Sequence, residues 1–214
     1  LRELWNVHVT IIGMGGLGCA ASLGLARGGA RRLTLIDPDE VDPTNLHRQP
    51  WYRSSDVGRL KVEAAADRLR LAFPDISVEP RSLRFEASNA AHLLAETALV
   101  IDGTDSAEDK LLLSDAAVLC GRPLVYGGAV GLKGQAMLIA PGGPCLRCLF
   151  EAPPERSRSC ARAGILGTIV GAVGALQALL ALSARSRPAR PDGTARLLVL
   201  DGRALSQREM LVRR

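Results

Sequence analysis

Val7-His8-Val9-Thr10-Ile11-Ile12-Gly13-Met14-Gly15-Gly16-Leu17-Gly18 leads into an Ala- and Leu-rich segment ending at Gly28-Gly29, and then into Leu33-Thr34-Leu35-Ile36-Asp37. The β-branched run Val9–Ile12 suits a buried parallel strand. Leu33–Ile36 reads as a second strand, and the segment between as a helix. Gly13, Gly15 and Gly18 have the spacing of a dinucleotide-binding turn: one glycine for the tight turn, one to let phosphate approach the backbone, one for close helix–strand packing. Gly16 belongs to the same loop, and the helix it opens points free N–H groups and the positive dipole end at a phosphate. Asp37 ends the second strand where an acidic side chain accepts hydrogen bonds from ribose hydroxyls. These features predict an α/β, Rossmann-like fold, a mostly parallel sheet with helices on both faces and a nucleotide site at the carboxyl edge of the strands.

Outward from this stretch, Pro38–Gln49 reads as loop and carries Asn45 and His47-Arg48-Gln49; Trp51–Gly58 is also irregular. Leu60–Leu71 has helical periodicity, with Lys61 in its first turn. A short strand is expected around Ile76 and Val78, a helix over Asn89–Glu96, and an apolar strand over Ala98–Ile101 that runs into Asp102-Gly103-Thr104-Asp105. After a parallel strand, that tetrapeptide lies at the sheet edge where open α/β folds bind ligands. Ala107–Cys120 reads as a helix, Pro123–Tyr126 and Gln135–Ile139 as strands, and Arg196–Leu200 as a last strand closed by Asp201-Gly202. Segments around 151–162 and 185–196 read as a mobile loop and a basic loop.

The 214 residues suffice for one well-buried domain. A net charge of +5 suits polyphosphate or an acidic partner but is spread too thinly to indicate nucleic acid. Two Trp, two Tyr and three Phe leave little for base-stacking platforms. Five cysteines without a regular framework, and an opening broken by Arg2, Glu3, Asn6 and His8, fit a cytoplasmic protein without a signal peptide. Ala163–Ala184 is uncharged and long enough for a bilayer, yet Gly164, Gly167, Gly171, Gly174 and Gln177 favour a helix buried in protein or at an interface over a membrane span.

The glycine loop alone fits an NAD-dependent oxidoreductase as well as a nucleotidyltransferase. Nucleotidyl transfer has to neutralise the charge that develops as pyrophosphate leaves. Arg48, Lys61 and Asp105 supply that chemistry near sheet edges and helix starts. A lysine about 4 Å from a phosphate oxygen contributes roughly 4 kcal/mol at an effective dielectric near 20. A hydride-transfer reading leaves these three residues without a shared purpose.

Gly13–Gly18, Asn45-Leu46-His47-Arg48-Gln49, Gly58-Arg59-Leu60-Lys61-Val62-Glu63, Gly103-Thr104-Asp105, Cys145-Leu146-Arg147-Cys148 and Ala163-Gly164-Ile165 through Gln177-Ala178 follow one another as in the ThiF/MoeB/HesA proteins, bacterial relatives of ubiquitin-activating enzymes, which the chain resembles over nearly its whole length. The family's habit and the uncharged Ala163–Ala184 segment both point to a twofold homodimer, while composition and pattern point to a cytoplasmic protein with no nucleic-acid or membrane partner. The resemblance implies that the C-terminal Gly-Gly carboxylate of a small ubiquitin-like sulfur-carrier protein attacks the α-phosphate of ATP, giving an acyl-adenylate and pyrophosphate. It assigns Gly15 to the phosphate turn and Asp37 to the ribose. Asn45, Arg48 and Lys61, beside Gln49, fall to the phosphates, and Asp105 to Mg²⁺. Cys145 and Cys148 correspond to half of a four-cysteine zinc site, whose second pair would fall beyond Arg214. Cys160 matches a cysteine that in some relatives joins the carrier or handles sulfur, and Cys19 and Cys120 read as core. Three departures leave room for a non-catalytic relative that only docks a carrier. Little sequence precedes the first strand, where relatives carry a basic segment; Ser106 replaces the usual Asn; and Lys110 replaces the usual Arg, whose bidentate fork it cannot reproduce.

Overall fold

The computed structural model describes residues 7–150, 164–184, 190 and 192–214. Eight strands form one sheet: β1 (His8–Ile12), β2 (Arg32–Ile36), β3 (Ser77–Arg81), β4 (Leu99–Asp102), β5 (Leu124–Val130), β6 (Lys133–Ile139), β7 (Ala195–Asp201) and β8 (Ser206–Val212). Their order is β3-β2-β1-β4-β5-β6-β7-β8. The pairings from β3 through β5 are parallel, whereas β6, β7 and β8 add in antiparallel sense. The Rossmann-like reading therefore holds, with an antiparallel extension at one edge. Arg196–Leu200 is not the last strand, because the turn after Asp201 returns the chain as β8. That strand escapes sequence reading because Gln207, Arg208, Glu209, Met210 and Leu211 are all exposed, which erases the apolar-polar alternation of a half-buried strand.

The described helices are α1 (Gly16–Arg27), α2 (Lys61–Ala72), α3 (Ala87–Leu94), α4 (Ala107–Leu119), the single turn α5 (Leu146–Leu149) and α6 (Gly167–Ser183). The third begins two residues before the expected Asn89. There the side chain of Asn89 accepts the Glu86 N–H (2.9 Å), and the Asn89 N–H bonds the Glu86 carbonyl (3.1 Å). Two stretches read as irregular hold 3₁₀ turns, Pro43–Arg48 and Ser54–Asp56. Asp42 starts the first by accepting the Thr44 N–H at 2.7 Å.

Period-two alternation sorts the strand side chains onto two faces. Val9, Ile11, Leu33, Leu35 and Ile101 meet α1, α2 and α6, while Ile12, Ile36, Val100, Leu124 and Met137 meet α3, α4 and α5. The uncharged α6 lies along α1. A Cβ added at Gly24 would come within 2.6 Å of the Ala178 Cβ, and one at Gly174 within 2.5 Å of the Ala20 Cβ. The small residues of α6 thus serve close helix contact. Among the described residues, no helix is long and apolar enough to cross a membrane.

At the carboxyl ends, Ile12 of β1 is level with Ile36 of β2 and Asp102 of β4. Connections leave β1 toward β2 on one side while β4 lies on the other, so the crevice where the strand order reverses opens here. Gly13 turns with φ +90° and donates its N–H to the Ile36 carbonyl (2.8 Å), and Gly103 donates to the Ile12 carbonyl (2.7 Å). A Cβ at Gly18 would stand 1.9 Å from the Gly13 carbonyl oxygen, which is backbone and cannot swing aside. Gly18→Ala is therefore expected to lose at least about 3 kcal/mol of unfolding free energy in urea titrations, or to fail to fold. A variant within about 0.5 kcal/mol of wild type would show that the turn relaxes freely.

Candidate functional site

A cleft of about 750 Å³ opens at this crevice. It is lined by Gly13, Gly15, Gly16, Asp37, Asn45, Arg48, Gln49, Lys61 and Asp105, so one cavity gathers nearly all the nucleotide-site residues expected from sequence. Gly18 is not among the lining residues; it packs beneath the turn. Gly15 behaves differently from its neighbours. A Cβ there would meet nothing closer than Gln49 Nε2 at 3.9 Å and the Gly103 carbonyl at 4.0 Å. Packing does not demand glycine at 15, and the missing side chain keeps the cleft floor open over the N-terminus of α1.

Asp37 is buried, with one carboxylate oxygen accepting the Met14 N–H (2.6 Å) and the other the Asp39 N–H (2.8 Å). Burial raises its carboxyl above the usual aspartate range, against the opposing pull of the Lys61 charge and the two N–H groups. Asp37 thus holds the glycine turn in shape as well as facing the cleft.

Lys61 occupies the first position of α2, where a cation opposes the helix dipole. Its Nζ reaches Asp39 Oδ2 at 2.7 Å, and its side chain is only 8% exposed. Sequence reading missed Asp39; the signal available was its spacing, two residues beyond Asp37 at the end of β2. Arg48 and Asn45 sit on the 3₁₀ turn, one guanidinium nitrogen of Arg48 donating to Asn45 Oδ1 and the other within 3.3 Å of His47 Nε2. Gln49 is buried, and its Oε1 has no hydrogen-bond partner among the described residues. An unmatched buried carbonyl costs free energy that a donor on a bound ligand would recover.

Asp105 is exposed on the turn after β4, just before Ser106 caps α4 by accepting the Asp109 N–H at 2.9 Å. Below it, Lys110 fills its three donor positions. Its ammonium bonds the Asp102 carboxylate (3.0 Å), the Thr104 carbonyl (2.7 Å) and the Gly127 carbonyl (2.7 Å), and stands 5.6 Å from the Tyr126 ring centre. From α6, the buried Gln177 donates Nε2 to the Asp102 carbonyl (2.7 Å) and the Val125 carbonyl (3.1 Å). The lysine at 110, a departure from the pattern in sequence, is fully used as a compact point charge.

Cys145 and Cys148 do not line the cleft, although Leu146 and Phe150 beside them do. Cys145 is the N-terminal cap of α5, whose Leu146 N–H donates to Ser114 Oγ (3.2 Å) and whose Arg147 pairs with Asp115 (2.8 Å). Among the described residues no group of three or more His, Cys, Asp or Glu side chains could hold a metal ion. Cys19 is buried, its thiol pushed up to about 12 by desolvation, while Cys120 is half-buried at the end of α4. Cys160, the 151–162 loop and half of the 185–196 loop lie outside the described residues.

The model of the ThiF family matches residues 1–214. "Adenylyltransferase and sulfurtransferase uba4" of Aspergillus terreus is 42% identical over 180 residues, covering 79% of this chain and 37% of that protein. "Adenylyltransferase and sulfurtransferase MOCS3" of Culex quinquefasciatus is 40% identical over 216 residues, 99% of this chain and 49% of its own. The chain thus spans half the length or less of these relatives. In fold it superimposes on a crystal structure of E. coli MccB with AMPCPP and MccA at a TM-score of 0.86 and 21% identity, covering 100% of this chain and 66% of that one.

Asp102 has a side chain only 1% exposed, and Lys110 is its ionic partner. Removing one member of such a pair leaves an uncompensated buried charge. Lys110→Met should cost about 3 to 5 kcal/mol of stability in urea titrations, and adding Asp102→Asn should restore part of it. Two losses that simply add would show that the ions act independently.

Proposed function

The chain belongs to the ThiF family, and on that premise we propose that it adenylates the C-terminal glycine carboxylate of a small ubiquitin-like sulfur-carrier protein with ATP, releasing pyrophosphate. The product would feed sulfur transfer of the thiamine or molybdopterin-cofactor type. One observation carries this reading: the crevice brings Arg48, Lys61 and Asp105 to one cleft with Gly15 and Asp37. Two cations and a carboxylate around a phosphate turn suit a departing pyrophosphate; a nicotinamide site has no use for them.

The ionised carboxylate is its own nucleophile, so no general base is required. The work left to this chain is positioning and charge stabilisation. Gly15 and the start of α1 receive the phosphates, and Asp37 with the free side of Asp39 faces the ribose. Arg48 and Lys61 neutralise negative charge as the α-phosphate bond to the β-oxygen breaks. Exposed Asp105 would hold Mg²⁺, which is commonly bound through one or two carboxylates plus the phosphates themselves, so a preformed cluster is not needed. When bound, that ion would supply further charge neutralisation at the phosphates. In this reading the described residues act as one adenylation domain.

Two further features belong to the same reading. Cys145 and Cys148 hold their sulfurs 3.9 Å apart, close to the roughly 3.8 Å edge that a tetrahedral zinc with 2.3 Å Zn–S bonds would impose. The pair thus fits half of a structural zinc site. On α6, Thr168, Ala172, Ala175 and Leu179 form an exposed stripe of small and apolar side chains suited to a twofold homodimer. Metal analysis and light scattering of the protein read out these two features directly.

The decisive measurement is ATP–pyrophosphate exchange with the carrier present. Asp105→Ala should reduce kcat by about a hundredfold or more while ATP affinity changes less, because the carboxylate acts on charge that develops during the reaction. Exchange at the wild-type rate would sink the assignment.

A further inference from the structure

Two successive peptide groups of the phosphate turn are fastened by side chains, the first by Asp37 of the cleft lining and the second from behind by residues outside it. The Met14 N–H is held by Asp37. The Met14 carbonyl accepts the Tyr52 hydroxyl at 2.8 Å and the Cys19 thiol at 3.4 Å. Met14 itself is fully buried, as nearly is Tyr52, so this carbonyl has no water to turn to. In a trans peptide the C=O and the following N–H point in opposite directions, and the chain has no cis bonds among its described residues. Drawing the Met14 oxygen inward therefore turns the Gly15 N–H outward, toward the cleft that Gly15 lines. That N–H has no acceptor among the described residues.

We propose that Tyr52 is a positioning residue for the nucleotide phosphates: its hydroxyl sets the orientation of the Met14–Gly15 peptide and so aims the Gly15 N–H at the ligand. This rests on the adenylation reading for the identity of the ligand. Tyr52 ends the loop that carries Asn45, Arg48 and Gln49, so one hydrogen bond couples the two halves of the phosphate site. Burial raises the Tyr52 phenol well above its ordinary range, which keeps the donor protonated throughout the working pH range. Trp51 anchors the same loop independently, its indole N–H donating to Ser22 Oγ at 2.8 Å. Its side-chain hydrogen bond goes to Ser22 and not to the Met14 carbonyl, which makes it a control for general loosening of the loop.

Tyr52→Phe removes the hydroxyl and keeps the ring. Calorimetric titration should show ATP affinity about tenfold weaker, the scale of one lost hydrogen bond to a charged group, with adenosine affinity unchanged. Amide NMR of the nucleotide-free variant should show the Gly15 resonance displaced. Trp51→Phe should lower stability without separating ATP from adenosine. ATP affinity within twofold of wild type, or lost in step with that of adenosine, overturns the proposal whatever the resonance does. An unmoved Gly15 resonance overturns it as well. Failure of the adenylation reading looks different: wild-type protein would then give no exchange and no ATP binding, and the Gly15 resonance would still decide whether the hydroxyl orients the turn.

Discussion

The Gly13 carbonyl oxygen is the most closely approached backbone atom at any described glycine. It is wedged between two other backbones, with a Cβ at Gly18 falling 1.9 Å from it and a Cβ at Gly103 falling 2.2 Å. Only three glycines allow the end of β1, the start of α1 and the turn after β4 to converge so closely. Because they converge, the helix N-terminus, Asp37 and the Asp105 turn open onto one crevice. A bulkier contact would splay the strand ends and spread the same side chains over separate surfaces. Two of these glycines fall in the familiar spacing; Gly103 comes from a distant part of the chain and completes the contact.

Around that wedge, buried polar groups keep the carboxyl edge fixed. Asp102 accepts the Thr104 N–H (3.0 Å) and hydroxyl (2.6 Å) as well as the Lys110 ammonium, and Gln177 ties its carbonyl to α6. Charges this deep in a protein are tolerated only when paired and hydrogen-bonded. Lys110 meets both conditions, and its third bond fastens β5 to the same point. At the position where the resemblance leads one to expect arginine, the lysine holds the turn as a compact point charge. Asp105 is then presented on a rigid base although its own side chain is exposed.

A second theme is the placing of groups against their local preference. Lys61 stands at a helix N-terminus where the dipole repels it, offset by Asp39, and Gln49 keeps a buried oxygen without a partner among the described residues. Such violations of local rules concentrate where a ligand is received. Lys61 and Gln49 both line the cleft, although buried side-chain atoms without a partner among the described residues also occur away from it, on Thr10, Arg68, Arg122 and Gln177.

The sequence by itself determined the parallel core, the glycine turn, the helix that follows it and the nucleotide-site residues that meet in the cleft. Each of these rests on local signals: β-branched runs, glycine spacing, and polar residues just past strand ends. Tertiary structure alone decided the antiparallel β6–β8 edge, since β8 is exposed along most of its length and has no alternation to read. It also gave Asp39 its partnership with Lys61, made Cys145 a helix cap, and turned the uncharged α6 into a partner of α1. The same holds for Tyr52, which in sequence lies in an irregular stretch and in space supports the carbonyl of Met14. The physical reason is common to all of these. Hydrogen bonds and close contacts between residues far apart in the chain depend on which surfaces the packed sheet brings together, and no local pattern encodes that meeting.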